Sequence, residues 1–210
     1  EIELCLVGSE MCIRDSTLMS ASGFMLMVDS ENLIMLFIGL EIGSISLYAL
    51  AGLNRGDKLS NEASLKYFLL GSLASCILIY GVSLVYVSFS VFSVYNLALG
   101  IAYVGPDSVP LTTSIGVLLI FIGLLFKIAA APFQSWAPDV YQGSPTGYVG
   151  FMSSIAKVSS FIVIARLCLV SVNFIVEDFN IFFLIVIISS ALIGSLFASI
   201  QEDLKRLLAY

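Results

Sequence analysis

Residues 121–136 read FIGLLFKIAAAPFQSW, an apolar run that holds one lysine, Lys127, and is then interrupted by Pro132. Proline lacks an amide hydrogen and clashes with the preceding turn, so a helix is expected to kink or end at this point. A charged side chain deep in a bilayer costs roughly 2.5 to 3.5 kcal/mol on insertion scales. We therefore expect Lys127 to pair with another group, to contact water or to mark an ion path.

The composition of the whole chain is typical of a membrane protein. Of its 210 residues, 59% are hydrophobic and 11% are charged, whereas soluble domains average about 25% charged residues. The net charge of −6 argues against nucleic acid as a partner, because phosphate binding requires basic surfaces. The chain has no histidine, which excludes histidine-based catalysis, haem and most zinc sites. None of its four cysteines forms a C-x-x-C pair, so we expect no disulfide framework and no iron–sulfur cluster.

Apolar runs predict where the chain crosses the bilayer, which takes about 20 apolar residues per helix. Five runs are predicted to span, at residues 32–53, 65–92, 112–131, 147–172 and 180–200. Residues 17–28 are apolar but too short to span alone, and 204–210 resemble the first turns of a further helix. Residues 93–111 form a connector rich in glycine and proline, and whether it holds a short interfacial helix stays open.

The charges between these runs predict an orientation. We assume that each run crosses once and that the third completes its crossing after its break. One side of the membrane then holds Arg55, Lys58, Lys205 and Arg206, and the other holds Asp29, Glu31, Asp107, Glu177 and Asp178. By the positive-inside rule, the basic side is cytoplasmic or faces the mitochondrial matrix.

The first residues, 1–15, do not fit this pattern. They mix charged and apolar residues and begin with glutamate, unlike the basic start of a signal peptide. The segment resembles a translated cloning adaptor, and an ordinary divergent tail is the alternative. We predict a non-native or divergent tail over 1–15, followed by a transmembrane domain over 16–210.

Three ionisable residues lie deep in the apolar runs, namely Glu41, Lys127 and Lys157. Such residues usually pair with one another or line a path for ions. The structural alternatives are that Lys127 extends its stem to an interface, and that Glu41 and Lys157 are neutral and hydrogen-bonded within a bundle. Arg166 lies near the end of its run, and we interpret it as an interface or packing residue.

The segment after Lys127 contains Pro132, Pro138 and Pro145, so residues 132–145 are not expected to form one continuous helix. Irregular backbone at membrane depth is tolerated only against protein or a water-filled cavity. Discontinuous helices beside charged groups are typical of ion-moving proteins. A simple loop outside the membrane is the alternative. Under the ion-path hypothesis, Glu41 holds Lys127 charged, and Lys157 passes the proton on through water.

Several stretches resemble one family. They are LFIGLEIGSISLYALAGLN at 36–54, EASLKYFLLGSLAS at 62–75, GLLFKIAAAPFQSWAPDVYQGSPTG at 123–147, KVSSFIVIARL at 157–167 and DLKRLLAY at 203–210. Together they make residues 17–210 similar to subunit 2 of respiratory complex I, the proton-translocating NADH:ubiquinone oxidoreductase.

This resemblance implies a fold and a path. The fold class is an all-α polytopic membrane protein with an antiporter-like helix bundle, a discontinuous transmembrane helix and an inverted repeat, of which this chain holds the first unit. The family is related to subunits of Mrp-type cation/proton antiporters. Its proton-path glutamate and two lysines correspond to Glu41, Lys127 and Lys157.

The resemblance also implies cofactors, partners and location. NADH, FMN, iron–sulfur clusters and ubiquinone are expected on other subunits, with no cofactor in this chain. The expected partners are other membrane-arm subunits of a hetero-oligomer, and lipids. The mitochondrial inner membrane is the expected location, ahead of a bacterial plasma membrane or a thylakoid.

Two departures leave alternatives open. Family members usually have histidine where this chain has Gln134, and glutamine cannot titrate. The family also continues into a second repeat, so we expect a fragment or one product of a split gene. The alternatives to a proton-translocating complex I subunit are an antiporter subunit without a redox partner and a non-pumping structural remnant of the membrane arm.

Overall fold

The computed structural model describes residues 2–54, 56–105, 108–170 and 176–210, with side chains described over 11–54, 56–105, 108–169 and 179–210. Within these ranges the chain is all-α, with one isolated β-bridge and no strand. The helices are α1 (Ile2–Asp29), α2 (Leu33–Ala51), α3 (Lys58–Phe89), α4 (Val94–Val104), α5 (Leu111–Lys127), a 3-10 turn (Phe133–Ser135), α6 (Trp136–Gly143), α7 (Thr146–Val170), α8 (Val176–Ile200) and α9 (Leu204–Ala209).

Four helices are long and apolar enough to cross a membrane, at Leu33–Ala51, Lys58–Phe89, Thr146–Leu169 and Phe179–Ile200. They confirm four of the five predicted runs, and the chain is a multi-pass membrane protein. The remaining one, the third run, predicted over 112–131, was wrong at its end, since α5 stops at Lys127 after 17 residues. At about 1.5 Å per residue, α5 is shorter than the roughly 30 Å hydrocarbon core. The helix α6 follows it in the chain after the break, and that the two together complete one crossing stays a prediction.

The apolar residues 17–28 form the last part of α1, which is 28 residues long and packs along α2. Residues 2–15 continue the same helix towards the start of the chain. That 1–15 are non-native stays a prediction.

The connector 93–111 contains the short helix α4. That this helix is interfacial stays a prediction. The start of α4 is tied to the start of α2 by a bridge in which Leu33 N donates to Phe92 O at 2.8 Å and Val94 N donates to Glu31 O at 2.9 Å. With 11 residues, α4 is too short to span.

Two helix pairs approach closely through glycine. A Cβ added to Gly39 would lie 2.6 Å from Met27 N and 2.8 Å from Gly23 O, so no side chain fits between α1 and α2 at this point. Likewise, a Cβ on Gly81 of α3 would lie 2.6 Å from Gly116 O of α5. Small residues spaced four apart, such as Gly39 and Gly43, are how membrane helices bring their backbones together. The helices that carry Glu41 and Lys127, α2 and α5, both pack against α3.

Charged side chains make contacts at both ends of the bundle. At one end, Lys66 of α3 pairs with Asp139 of α6 at 3.0 Å, and Arg206 pairs with Asp139 at 3.4 Å. At the other end, Arg166 of α7 donates to Ser30 O at 2.7 Å, consistent with the packing role predicted for it. Arg55 and Asp107, used above to orient the chain, lie outside the described residues, as do the side chains of Glu177 and Asp178. Which membrane face each end meets stays a prediction.

Candidate functional site

The break after α5 is built by the backbone rather than by proline. Ala129 has a φ of 59°, the left-handed conformation. Ala129 N donates to Phe126 O and Ala130 N donates to Leu125 O, both at 3.0 Å. This pair of hydrogen bonds is a Schellman motif, which usually places glycine at the left-handed position. Because alanine takes that position here, no glycine marks the helix end in the sequence. The helix ends four residues earlier than we expected from Pro132.

The three prolines lie at different positions relative to the helices. Residues 132–145 are not one continuous helix, as predicted, since a 3-10 turn and α6 divide them and α6 ends at Gly143. Pro138, however, lies inside the first turn of α6 and does not break it. Amides in a first turn have no intrahelical partner, so proline costs little there. Pro145 lies between the end of α6 and the start of α7 and interrupts neither helix.

Lys127 is the last residue of α5 and is only 3% exposed. Its Nζ donates to Ser44 Oγ at 2.9 Å and to Tyr48 Oη at 3.1 Å, and it lies 5.6 Å from the centre of the Tyr48 ring. The side chain therefore turns into the bundle towards α2, and it does not extend to an interface. A cation at the carboxyl end of a helix is also favoured by the helix dipole.

Glu41 lies on the same helix as both acceptors of Lys127, three and seven residues before them. This spacing places Glu41, Ser44 and Tyr48 along one side of α2. The Glu41 carboxylate is hydrogen-bonded by Ser75 Oγ of α3. Among the described residues, ion pairs within 4.0 Å occur only at the Lys66–Asp139 end, so Glu41 and Lys127 are not in direct contact. Hydroxyl groups, rather than an ion pair, join the glutamate helix to the lysine.

Lys157 lies on α7, and its Nζ is 5.6 Å from the centre of the Tyr141 ring of α6. An ammonium group within about 6 Å of an aromatic ring centre is attracted by the electrons of the ring. Lys157 is partly buried. It thus contacts the helix that follows the break, whereas Lys127 ends the helix that precedes it.

A series of aromatic ring contacts runs from Tyr48, beside Lys127, to Tyr141, beside Lys157. Tyr48 meets Tyr67 edge-on at 4.7 Å, Tyr67 stacks on Trp136 at 4.8 Å, and Trp136 meets Tyr141 edge-on at 6.5 Å. Trp136 Nε1 also donates to Phe126 O at 3.1 Å, which ties α6 to the end of α5. This cluster was not predicted from the sequence. Its only signal was the single tryptophan beside the break, with tyrosines on the neighbouring runs.

Gln134, the position where histidine was expected, lies in the 3-10 turn. Its Oε1 is buried and has no hydrogen-bond partner among the residues that the structure describes. A buried acceptor of this kind is normally satisfied by water or another group. In the described part of the chain, no group of three or more metal-ligating side chains could hold a metal ion.

The chain is similar to proteins of known class. The family described as "NADH:quinone oxidoreductase/Mrp antiporter, TM" matches residues 30–210. NADH-quinone oxidoreductase subunit N of Trichlorobacter lovleyi is 42% identical over 193 residues, covering 92% of this chain and 39% of that protein.

Two solved structures have the same arrangement of helices. A chain of respiratory complex I from Thermus thermophilus with bound aureothin is 34% identical, with a TM-score of 0.76, and the match covers 92% of this chain and 40% of that one. A chain of the Mrp complex from Dietzia sp. DQ12-45-1b has a TM-score of 0.81 at 22% identity, covering 91% of this chain and 35% of that one, and shows the fold alone. The chain thus spans about two fifths of the length of these relatives. With the discontinuous helix and the matched region in agreement, the chain belongs to the transmembrane family shared by NADH:quinone oxidoreductases and Mrp antiporters.

Proposed function

We propose that this chain is part of a membrane-arm subunit of an NADH:quinone oxidoreductase, in which it moves protons across the membrane. The proposal is supported by its similarity to a relative named NADH-quinone oxidoreductase subunit N and by its fold, which it shares with a chain of respiratory complex I. The Mrp-type antiporter has the same fold at lower identity, so the sequence similarity favours the redox-linked class.

The observation that carries the proposal is the environment of Lys127. Lys127 is the last residue of α5, and its buried side chain donates hydrogen bonds to two hydroxyl groups. A hydroxyl can accept a hydrogen bond from an ammonium group and can donate one to a neutral amine. The site therefore accommodates both protonation states of Lys127, which a direct carboxylate partner would not do equally well.

Glu41 and Lys157 complete the proposed path. Glu41 lies on the helix that contacts Lys127, and its charge favours the ammonium form through space. Lys157 lies beyond the aromatic cluster and receives the proton from Lys127 by way of water. Pro132, Pro138 and Pro145 flank or lie within the segment that separates the two lysines. These roles stay predictions.

The partners we propose are other membrane-arm subunits, in a hetero-oligomer, together with lipids. NADH, FMN, iron–sulfur clusters and quinone would be bound by other subunits. We place the chain in an energy-converting membrane. More specifically, we propose the mitochondrial inner membrane. Because the relatives compared are bacterial, the bacterial plasma membrane is the main alternative.

Fractionation of native membranes tests this function. Membranes are solubilised gently and separated by size, and peptides such as VSSFIVIAR, residues 158–166, are quantified in each fraction beside NADH dehydrogenase activity. We expect the peptides to peak with that activity in a very large complex. If they peak in a smaller assembly without the activity, the antiporter function replaces the one proposed.

A further inference from the structure

The hydroxyl group of Tyr48 reaches Lys127 through a space that one residue of α3 leaves open. A Cβ added to Gly71 would overlap the Tyr48 hydroxyl oxygen and lie 2.8 Å from Cζ of the same ring. Gly71 lies within the regular helix Lys58–Phe89 and is buried, so the backbone conformation does not require glycine there. The reason for glycine at this position is space for the tyrosine.

Gly71 also borders the carboxylate side of the path. Ser75 Oγ lies 3.0 Å from Gly71 O, and the same hydroxyl group bonds to Glu41. One turn of α3 therefore contacts the carboxylate of Glu41 at one end and the phenol that holds Lys127 at the other. A change in the packing of this turn would move both groups.

We propose that Tyr48 and Gly71 are positioning residues for Lys127, and this inference rests on the proposed function. The phenol holds Lys127 in place in both protonation states, because it accepts from the ammonium group and donates to the neutral amine. Gly71 acts through Tyr48, since its lack of a side chain leaves room for the hydroxyl.

The test uses the complete complex in sealed membrane vesicles, with the variants Tyr48→Phe and Gly71→Ala alone and combined. Two quantities are measured for each variant, namely electron flow from NADH to quinone and the number of protons moved per electron pair. Tyr80→Phe and Gly150→Ala are the matched controls. Tyr80 is 60% exposed on α3, and a Cβ on Gly150 of α7 would meet nothing within 4 Å.

We expect Tyr48→Phe to reduce the number of protons moved per electron pair about tenfold. This is the change expected when a charged group loses one hydrogen bond. Gly71→Ala is expected to have a similar effect because it displaces the same hydroxyl. The two losses should not add. Once the hydroxyl is removed, alanine at position 71 has little left to displace, so the double variant should resemble Tyr48→Phe alone.

Losses that add would show that Gly71 acts independently of Tyr48 and would overturn its assigned part. Tyr48→Phe removes a single oxygen atom, so it tests the inference even if Gly71→Ala prevents assembly. Lys127→Met separates this inference from the function on which it rests. If Lys127→Met stops translocation while Tyr48→Phe leaves it intact, the positioning role alone is wrong. If Lys127→Met also leaves it intact, the proposed function is wrong.

Discussion

Replacing Gly39 by alanine should separate α1 from α2 and destabilise the bundle. The added Cβ would lie 2.6 Å from Met27 N and 2.8 Å from Gly23 O. Both are backbone atoms, so a change of side-chain rotamer cannot relieve the overlap. The two helices must move apart by about 0.8 Å to reach ordinary contact, and a gap of that size forfeits a quarter to a half of the dispersion energy of the atoms it separates.

We expect a net cost of about 1 to 3 kcal/mol, the usual range for overpacking. Gly150→Ala is the matched control, because Gly150 is also helical and its Cβ would meet nothing within 4 Å. Both changes gain the roughly 1 kcal/mol by which alanine favours a helix over glycine. The difference between the two variants therefore isolates the clash at the α1–α2 interface.

The assay is brief heating of the solubilised complex, followed by size separation and quantification of the subunit that remains bound. The Gly39→Ala subunit should dissociate from the complex at a lower temperature than the wild-type subunit. The Gly150→Ala subunit should dissociate at the same temperature as the wild type or a higher one. If both variants were lost at the same temperature, the close approach of α1 and α2 would not contribute to stability, and the reasoning would be refuted.

Two further predictions concern the polar contacts of α3 and α6. Ser75→Ala removes the hydroxyl bound to Glu41 and should lower the number of protons moved per electron pair, whereas the exposed Ser83→Ala on the same helix should not; equal values for both would argue against a role for this hydroxyl. Asp139→Asn removes both ion pairs of that carboxylate, whose side chain is 37% exposed. Its cost should be below about 1 kcal/mol at low salt and should fade at high salt, as heat-stability measurements at two salt concentrations would show; a large cost that salt does not change would contradict this.

The spanning helices could be predicted because hydropathy alone determines them. Residues 32–53 and 180–200 read as long apolar runs, and the helices found there, Leu33–Ala51 and Phe179–Ile200, agree with those bounds within a few residues. Membrane-spanning backbone must satisfy its own hydrogen bonds, so a long apolar run has few options other than a helix. The short helix α4 lay in a segment rich in glycine and proline, where no such constraint applies.

The break was predicted in the right region but for an incomplete reason. Proline signals that a helix cannot continue, yet α5 ends earlier, at a left-handed alanine. Nothing in the residue type of Ala129 indicates that conformation, because alanine is among the best helix formers. A tertiary contact lies at this helix end, the hydrogen bond from Trp136 Nε1 to Phe126 O, and the residue types around Ala129 do not reveal it.

The candidate site shows the same division between what a sequence can and cannot predict. Charges in an apolar run stand out, so Glu41, Lys127 and Lys157 were found from the sequence. Their partners are hydroxyl groups and rings, namely Ser44, Tyr48, Ser75 and Tyr141. Serine and tyrosine are common in membrane helices, and only the packing of α2, α3, α5 and α6 shows which of them face the charged groups.

The measurement that tests the central claim most directly is the proton-to-electron ratio of the Lys127→Met complex in sealed vesicles. Lys58→Met is the control, since Lys58 is an exposed lysine at the start of α3 and undergoes the same chemical change. We expect the ratio to fall for Lys127→Met and to stay at the wild-type value for Lys58→Met, with both complexes assembled. An unchanged ratio in the Lys127→Met complex would contradict a direct role for this buried lysine in moving protons.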